Sequence, residues 1–347
     1  MTTTKVGIIG AGQIARLHAE GYAKDERAEI RAVCDIEDER AIEEALAWKA
    51  DRWYTDHKAL LADPEIDAVD ILTPHHLHPS MILEALRAGK HVMVQRPLAL
   101  TIAEADEVIA EASKRQLTLA VAEPHLYHPP FADARSYLKN GEIGDPLGIH
   151  FSVNIGAPEG GWEVKPQSWL WRFDPRKCGG GPFLFDSIYT AFAISTHLLS
   201  EVESVNADIG RTEISPGYFV DAPGTVTWRH NKGRCLGSLN MTYSPDMYIK
   251  STHYPNDVRV ELTGTKGIIW FRVAPGNVTM GAPLQMYRDG RLFSFGEVAE
   301  SWDENFHHTT RNFIDAVRGQ AKLVMTPQAG REILRMTLAA RESSAKP

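Results

Sequence analysis

The chain has 347 residues and a formal charge of −8, enough length for two domains with substantial cores. That charge is spread along the sequence rather than gathered in blocks, which argues against nucleic acid as the main partner, because such a partner calls for a basic face. Cys34, Cys178 and Cys235 lie far apart, without metal-ligand spacing and in odd number. The opening MTTTKVGIIGAG has no signal layout and no apolar run is long enough to span a membrane, so a reduced cytoplasmic protein without metal is expected.

The segment VGIIGAGQIAR (residues 6–16) organises the rest. Val6, Ile8 and Ile9 read as a short buried parallel strand. Gly10-Ala11-Gly12-Gln13-Ile14-Ala15 then gives a G-x-G-x-x-A pattern leading into a helix over 13–23. Gly10 permits the tight turn, Gly12 lets the backbone approach a pyrophosphate, and Ala15 lets helix and strand pack closely. Gln13 and Ile14 open the helix at the end where phosphates meet free N–H groups. A second strand over 29–34 ends in Asp35, about 20 residues on, where an acid binds the adenosine ribose hydroxyls. Asp35 also suits a helix-capping role before IEDERAIEEALA. No Arg follows it to take a 2′-phosphate, so the expected cofactor is NAD.

Strands are expected at 69–72, 91–94 and 118–121, alternating with helices at 79–88 and 101–114. This is the rhythm of a doubly wound parallel sheet with its ligand crevice at the carboxyl ends of the strands. After residue 123 the rhythm changes. A helix over 129–139 and an extended stretch over 147–155 precede a Trp- and Gly-rich loop (156–181) and a helix at about 182–199. From 202 to about 293 strands dominate, joined by turns such as Asn231-Lys232-Gly233, and helices near 304–318 and 327–342 close the chain. The expected architecture is a Rossmann domain over 1–123 and an α+β domain over 124–347 with a largely antiparallel, open-faced sheet.

With these pieces in hand, the sequence resembles the glucose–fructose oxidoreductase / inositol dehydrogenase / MocA family over nearly its whole length. The resemblance rests on GIIGAGQIA, the strand-end Asp35, TPHHLH (73–78), AGKHVMVQRPLA (88–99), WLWRFDPRKCGGG (169–181), ELTGTKGIIWF and the closing helices. It implies NAD(P)-dependent hydride transfer on sugars, cyclitols or sugar acids. Cofactor contacts are implied at Thr73, Pro74, His75 and His78 and at Gln95 and Arg96, and a homo-oligomer, dimer or tetramer, is implied through the second domain's sheet.

Two departures bear on chemistry. Where the family has Glu-Lys-Pro, this chain has Gln95-Arg96-Pro97; arginine cannot exchange protons, its pKa exceeding about 12, but it can polarise an oxygen or hold a carboxylate. Where the family has Asp and then a catalytic His four residues later, this chain has Asp186 and Thr190. His197 lies about 10 Å of helix rise beyond Thr190 and cannot substitute. Tyr189, His125 and His128 are the alternative proton-transfer or substrate groups, with Asp186 beside them. Trp162, Trp169, Trp171 and Arg172 can form a stacking surface for a ring substrate. Tyr248, His253 and Tyr254 are candidates across the sheet. The His75-His76-Leu77-His78 run is read as a cofactor loop rather than a metal site, because no carboxylate or Cys completes a ligand set.

The leading expectation is an NAD-dependent dehydrogenase acting on a hydroxyl of a sugar-like, cyclitol or acidic cyclic small molecule. Two others stand beside it: a redox-neutral lyase, glycosidase or epimerase using bound NAD transiently, and a non-catalytic dinucleotide-dependent sensor.

Overall fold

The computed structural model describes residues 3–163, 168–230, 232–273, 276, 281–299 and 301–345; Asn231 of the expected turn and residues 164–167 of the expected loop lie outside these. The chain forms two compact units. One comprises Met1–Pro124, Arg176–Gly179 and Asp303–Leu334; the other comprises His125–Pro175, Gly180–Trp302 and Arg335–Pro347.

The first unit is built on six parallel strands: β1 (Thr4–Ile9), β2 (Ala28–Cys34), β3 (Arg52–Tyr54), β4 (Ala68–Ile71), β5 (His91–Gln95) and β6 (Leu119–Ala122). Their order is β3-β2-β1-β4-β5-β6, the Rossmann arrangement. The helices between them are α1 (Gln13–Ala23), α2 (Asp38–Ala47), α3 (His57–Leu61), α4 (His78–Arg87) and α5 (Ile102–Arg115). β1, β4 and β6 are buried almost throughout, which is why they read as continuous apolar runs. The sequence reading missed β3, whose three residues carry no alternation. It is the edge strand, and Arg52 on it pairs with Asp63 and Glu65, a charged fringe that discourages further strand addition.

In the second unit lie α6 (Pro129–Lys139), the 14-residue β7 (Pro146–Glu159) and α8 (Tyr189–Leu198), while all but the first residue of the short α7 (Pro175–Cys178) belong to the first. Strands follow: β8 (Ser204–Ile209), β9 (Thr212–Ser215), β10 (Tyr218–Val220), β11 (Gly224–His230), β12 (Cys235–Lys250), β13 (Asn256–Gly264), β14 (Gly267–Arg272), β15 (Leu284–Arg288) and β16 (Arg291–Phe295). Eight of them make one sheet, ordered β16-β15-β14-β13-β7-β12-β11-β8, antiparallel except where β7 meets β12. Burial alternates along β11 and β14, so one face is core and the other is open. On the core side α8 is enclosed nearly all round, and Phe192 meets the Trp228 ring edge-on at 5.1 Å. Trp228 lies directly opposite Gly237 on β12, where any side chain would collide with the indole.

Two helices follow the strands, α9 (Glu304–Val317) and α10 (Pro327–Ser344). α9 belongs to the first unit and packs on α1. Phe313 and Ile314 share a core cluster with Val6, Ile8, Ala15 and Tyr22, each of the two contributing about 1.5–3 kcal/mol of burial. The ring of Phe306 lies 5.3 Å from that of His18. Beneath it, His18 Nδ1 is 2.8 Å from Asp70 Oδ2, and the Tyr22 hydroxyl donates to the same oxygen at 2.9 Å. All three side chains are cut off from water, and burial beside Asp70 pushes the Tyr22 phenol well above its ordinary value.

Candidate active site

In the first unit the dinucleotide motif has the geometry its residue types require. Gly10 has φ +94° and donates its N–H to the Cys34 carbonyl at 2.8 Å; a side chain there would strike the Leu72 carbonyl. Gly12 is the N-cap of α1, with Gln13 and Ile14 in the first turn. No side chain caps this end, no acid lies in its first turn, and the space where a Gly12 side chain would stand is open. Such an N-terminus receives an anion.

Asp35, at the end of β2, sits beside this turn. Its Oδ2 accepts the Ala11 N–H at 2.9 Å and its Oδ1 accepts the Glu37 N–H at 3.0 Å. Arg40, on the first turns of α2, also donates to Oδ1, at 3.1 Å. This corrects one step of the sequence reasoning: an arginine does follow Asp35, one and a half helical turns downstream and folded back onto the carboxylate. The acid stands at the end of β2 beside the glycine turn, and the set of residues fits NAD.

The loops after β4 and β5 are tied together by His78. The ring is fully buried, with Nε2 2.8 Å from the Thr73 carbonyl and Nδ1 2.7 Å from that of Pro97. Burial pushes its pKa below the usual histidine range, while the two carbonyl acceptors oppose that shift. Thr73 and Pro74 remain partly accessible, and His75, buried, lies with Nδ1 3.0 Å from the Cys178 carbonyl. Gln95 Oε1 accepts the Arg96 N–H at 3.0 Å. The Arg96 side chain meets a group the sequence reading missed: its Nε is 3.3 Å from Oε2 of the fully buried Glu123. Strand register held the clue, since Gln95 pairs with Ala122 and the next residues fall side by side.

The second unit gathers another set. His125 and Trp302 are both 8% exposed, and the Trp302 indole N–H donates to His125 Nε2 at 3.3 Å. Indole nitrogen is only a donor, so His125 accepts at Nε2 and carries its proton on Nδ1. Trp302 packs against His253 at 4.9 Å, Tyr254 at 6.0 Å and Trp162 at 6.2 Å. Trp162 stands edge-on to His253 and Tyr254, and Tyr254 to Trp169. The Arg172 guanidinium lies over the Trp169 and Trp171 rings at 5.1 and 4.8 Å and ion-pairs with Asp186 at 2.7 Å. Thus His125, Trp169, Arg172 and Asp186 belong to one run of contacts, joined by Trp162, His253, Tyr254 and Trp302.

Asp186 sits in a π-turn (Leu184–Ile188) that leads directly into α8, the kind of helix distortion found at functional sites. Tyr189 is fully enclosed and Thr190 nearly so; His128, 2% exposed, is the N-cap of α6. His197 lies with Nδ1 2.8 Å from the Ala193 carbonyl on its own helix, and Tyr248 is largely exposed. Asp221 is a second acid that sequence reasoning passed over. Its Oδ1 accepts the Phe183 N–H at 2.8 Å at the start of the π-turn, and Gly181 lies so close that any side chain there would occupy the carboxylate's place. Burial pushes Asp221 up to about 6, with the nearby charge of Asp186 adding to the shift.

The chain matches two family profiles. Residues 4–123 match one described as "Oxidoreductase family, NAD-binding Rossmann fold", and residues 131–270 match "GFO/IDH/MocA C-terminal domain". The myo-inositol 2-dehydrogenase of Thermotoga maritima is 25% identical over 343 residues, 98% of this chain and 96% of the relative. The levoglucosan dehydrogenase of Pseudarthrobacter phenanthrenivorans is 29% identical over 216 residues, 60% and 54% of the two chains. A solved levoglucosan dehydrogenase in complex with NADH and L-sorbose has the same fold, with a TM-score of 0.82 at 24% identity over 99% of this chain and 97% of that one. With both domains matched and the dinucleotide motif formed, the chain belongs to the glucose–fructose oxidoreductase / inositol dehydrogenase / MocA family and is an NAD-dependent oxidoreductase.

Proposed function

We propose that this protein oxidises a ring hydroxyl of a cyclic sugar or cyclitol, and catalyses the reverse reduction. The observation that carries the reading is the second unit's nest of aromatic rings ending on the Arg172–Asp186 ion pair. Aromatic faces suit the C–H face of a saturated ring, and a paired cation and carboxylate suit vicinal hydroxyls, one donating and the other accepting. The named relatives act on myo-inositol and levoglucosan, which supports the same substrate class here.

Bound NAD supplies the ring that accepts hydride. Gly10, Gly12 and the first turn of α1 hold the pyrophosphate, and Asp35 holds the ribose. Thr73, Pro74, His75 and Gln95 make up the wall at the strand ends, with His78 bracing it from beneath. In the first unit Arg96 is a hydrogen-bond donor that exchanges no proton. For the proton, Asp186 is favoured over the two other candidates. Its side chain is 33% exposed and held in place by Arg172, whereas Tyr189 is fully enclosed and His125 already accepts a bond at Nε2. Trp169 stacks on the Arg172 that holds this carboxylate, Thr190 follows one helical turn after it, and His128 is kept as a substrate-side candidate.

The test is NADH formation across a panel of cyclitols, pyranoses and anhydrosugars, repeated with Asp186→Asn. Oxidation of at least one ring polyol, with the variant down about 100-fold in kcat/KM and its acidic pH limb lost, is expected. An inactive panel, or an Asp186→Asn enzyme with an unchanged pH profile, defeats the reading. The open face of the large sheet, where Glu261 accepts the Trp270 indole N–H at 2.7 Å and Tyr287 is exposed, supports a homo-oligomer assembled through that face. A monomer by light scattering at micromolar concentration would exclude it.

A further inference from the structure

Arg96 follows the last residue of β5 and Glu123 the last residue of β6, and the parallel register sets them side by side at the carboxyl end of the first sheet. The Glu123 side chain is fully buried and that of Arg96 is 13% exposed, with Nε 3.3 Å from Oε2. The Arg96 backbone is fixed as well, by the bond from its N–H to Gln95 Oε1.

A buried carboxylate without a counter-charge is strongly unfavourable, so Glu123 holds the guanidinium and the two act as a unit. A guanidinium carries five donors in one plane and can pair along one edge while donating from another, which a lysine ammonium cannot do with fixed geometry. What the pair offers a ligand is therefore a directed donor whose positive charge Glu123 offsets. A ligand hydroxyl is well matched to it. A ligand carboxylate would have to share the guanidinium with Glu123 and would sit within a few ångströms of a second anion in a partly desolvated setting, where like charges repel strongly.

We infer that Glu123, acting through Arg96, sets the charge of the substrate: the protein takes a neutral polyhydroxylated ring and rejects the carboxylate analogue of the same ring. Glu123 is a positioning and specificity residue, with Arg96 the group that meets the ligand. This inference rests on the dehydrogenase reading above and removes the acidic ring from the substrates expected from sequence.

The experiment compares neutral pyranoses with their uronic acids, by kcat/KM and, in parallel, by calorimetric binding to the protein loaded with NADH. Wild-type protein should favour the neutral ring by about 30-fold or more on either measure. Glu123→Gln should shrink that ratio about tenfold or more, chiefly by improving the acid, and Glu123→Asp, which keeps the charge, should restore most of it. A merely structural role would lower both ligands together and leave the ratio in place. Should Glu123→Gln fail to fold, the paired variant Arg96→Gln/Glu123→Gln removes both charges and should bring the ratio near one. A wild-type preference for the acid, or a ratio unmoved in these variants, overturns the inference. A chain that binds the neutral ring selectively but oxidises nothing defeats the dehydrogenase reading while supporting the inference through the binding ratio; binding of neither ligand defeats both.

Discussion

Replacing Asp35 should change which dinucleotide the protein binds, and by how much can be worked from its contacts. The carboxylate has about four acceptor positions. Three are engaged by the Ala11 N–H, the Glu37 N–H and the Arg40 guanidinium, so a ribose hydroxyl gains one free position and competes with Arg40 for another. Charge-assisted bonds of this kind contribute about 1.5–3 kcal/mol each, so Asp35→Ala should weaken NAD roughly 10- to 100-fold. The same change helps NADP. A 2′-phosphate charge about 4 Å from the carboxylate is repelled by about 4 kcal/mol at an effective dielectric constant of about 20. Removing the acid abolishes this repulsion and releases Arg40 to pair with the phosphate. The ratio of NAD to NADP affinity should therefore fall by about 1,000-fold or more. Calorimetric titration of both dinucleotides into the wild type, Asp35→Ala, Arg40→Ala and the double variant measures each contribution and their coupling. An Asp35→Ala protein with unchanged NAD affinity would refute the ribose role. Equal NADP affinity in Asp35→Ala and the double variant would refute the part given to Arg40.

Asp221 titrates near 6 when folded against an ordinary 3.8, so the folded chain holds its proton more tightly than the unfolded one. Its contribution, roughly 2–3 kcal/mol, is complete below about pH 4 and is lost as the pH rises through 6. Asp221→Asn keeps an acceptor for the Phe183 N–H, so it should raise the melting temperature at pH 8 and flatten the decline between pH 4 and 6; an unchanged pH–stability curve would count against the buried acid. Arg172→Ala should cost at most about 1 kcal/mol of stability, because the pair is partly exposed, yet lower kcat/KM about 10- to 100-fold by freeing Asp186. Equal losses in melting temperature and activity across a series of Arg172 variants would point to folding rather than positioning.

The dinucleotide motif was legible because its residues are chosen by backbone geometry: only glycine tolerates the Gly10 conformation, and only a strand-end acid at that spacing reaches the turn. The parallel sheet and the strand-rich second half were legible from periodicity and its change after residue 123. Less visible was anything set by register or return of the chain. Arg40 folds back along α2, Glu123 finds Arg96 through the β5–β6 pairing, and Trp302 reaches His125 from 177 residues away. The three-residue β3 is held by its neighbour and by edge charges rather than by a pattern of its own. Tyr189 shared the expected helical face with Asp186, but an element as apolar as α8 is enclosed on most sides, and the tyrosine went with the core.

The return of residues 303–334 to the first unit has a consequence for how the protein is made. The strands of the NAD-binding sheet leave the ribosome before α9, which covers α1 and is made only after residues 125–302. At about 5–20 residues per second the intervening stretch takes roughly 10–35 s to translate. Throughout that time Tyr22 and its apolar neighbours on α1 lack Phe313 and Ile314, and the His18–Asp70 pair lacks the ring of Phe306 that shields it. The nascent half-domain thus exposes apolar surface of the kind that drives aggregation, and a nonsense change near residue 300 would leave it uncovered. By the same logic, residues 1–124 are not a portable cofactor-binding module: a working one has to carry the 303–334 segment with it, joined by a linker or supplied as a second peptide.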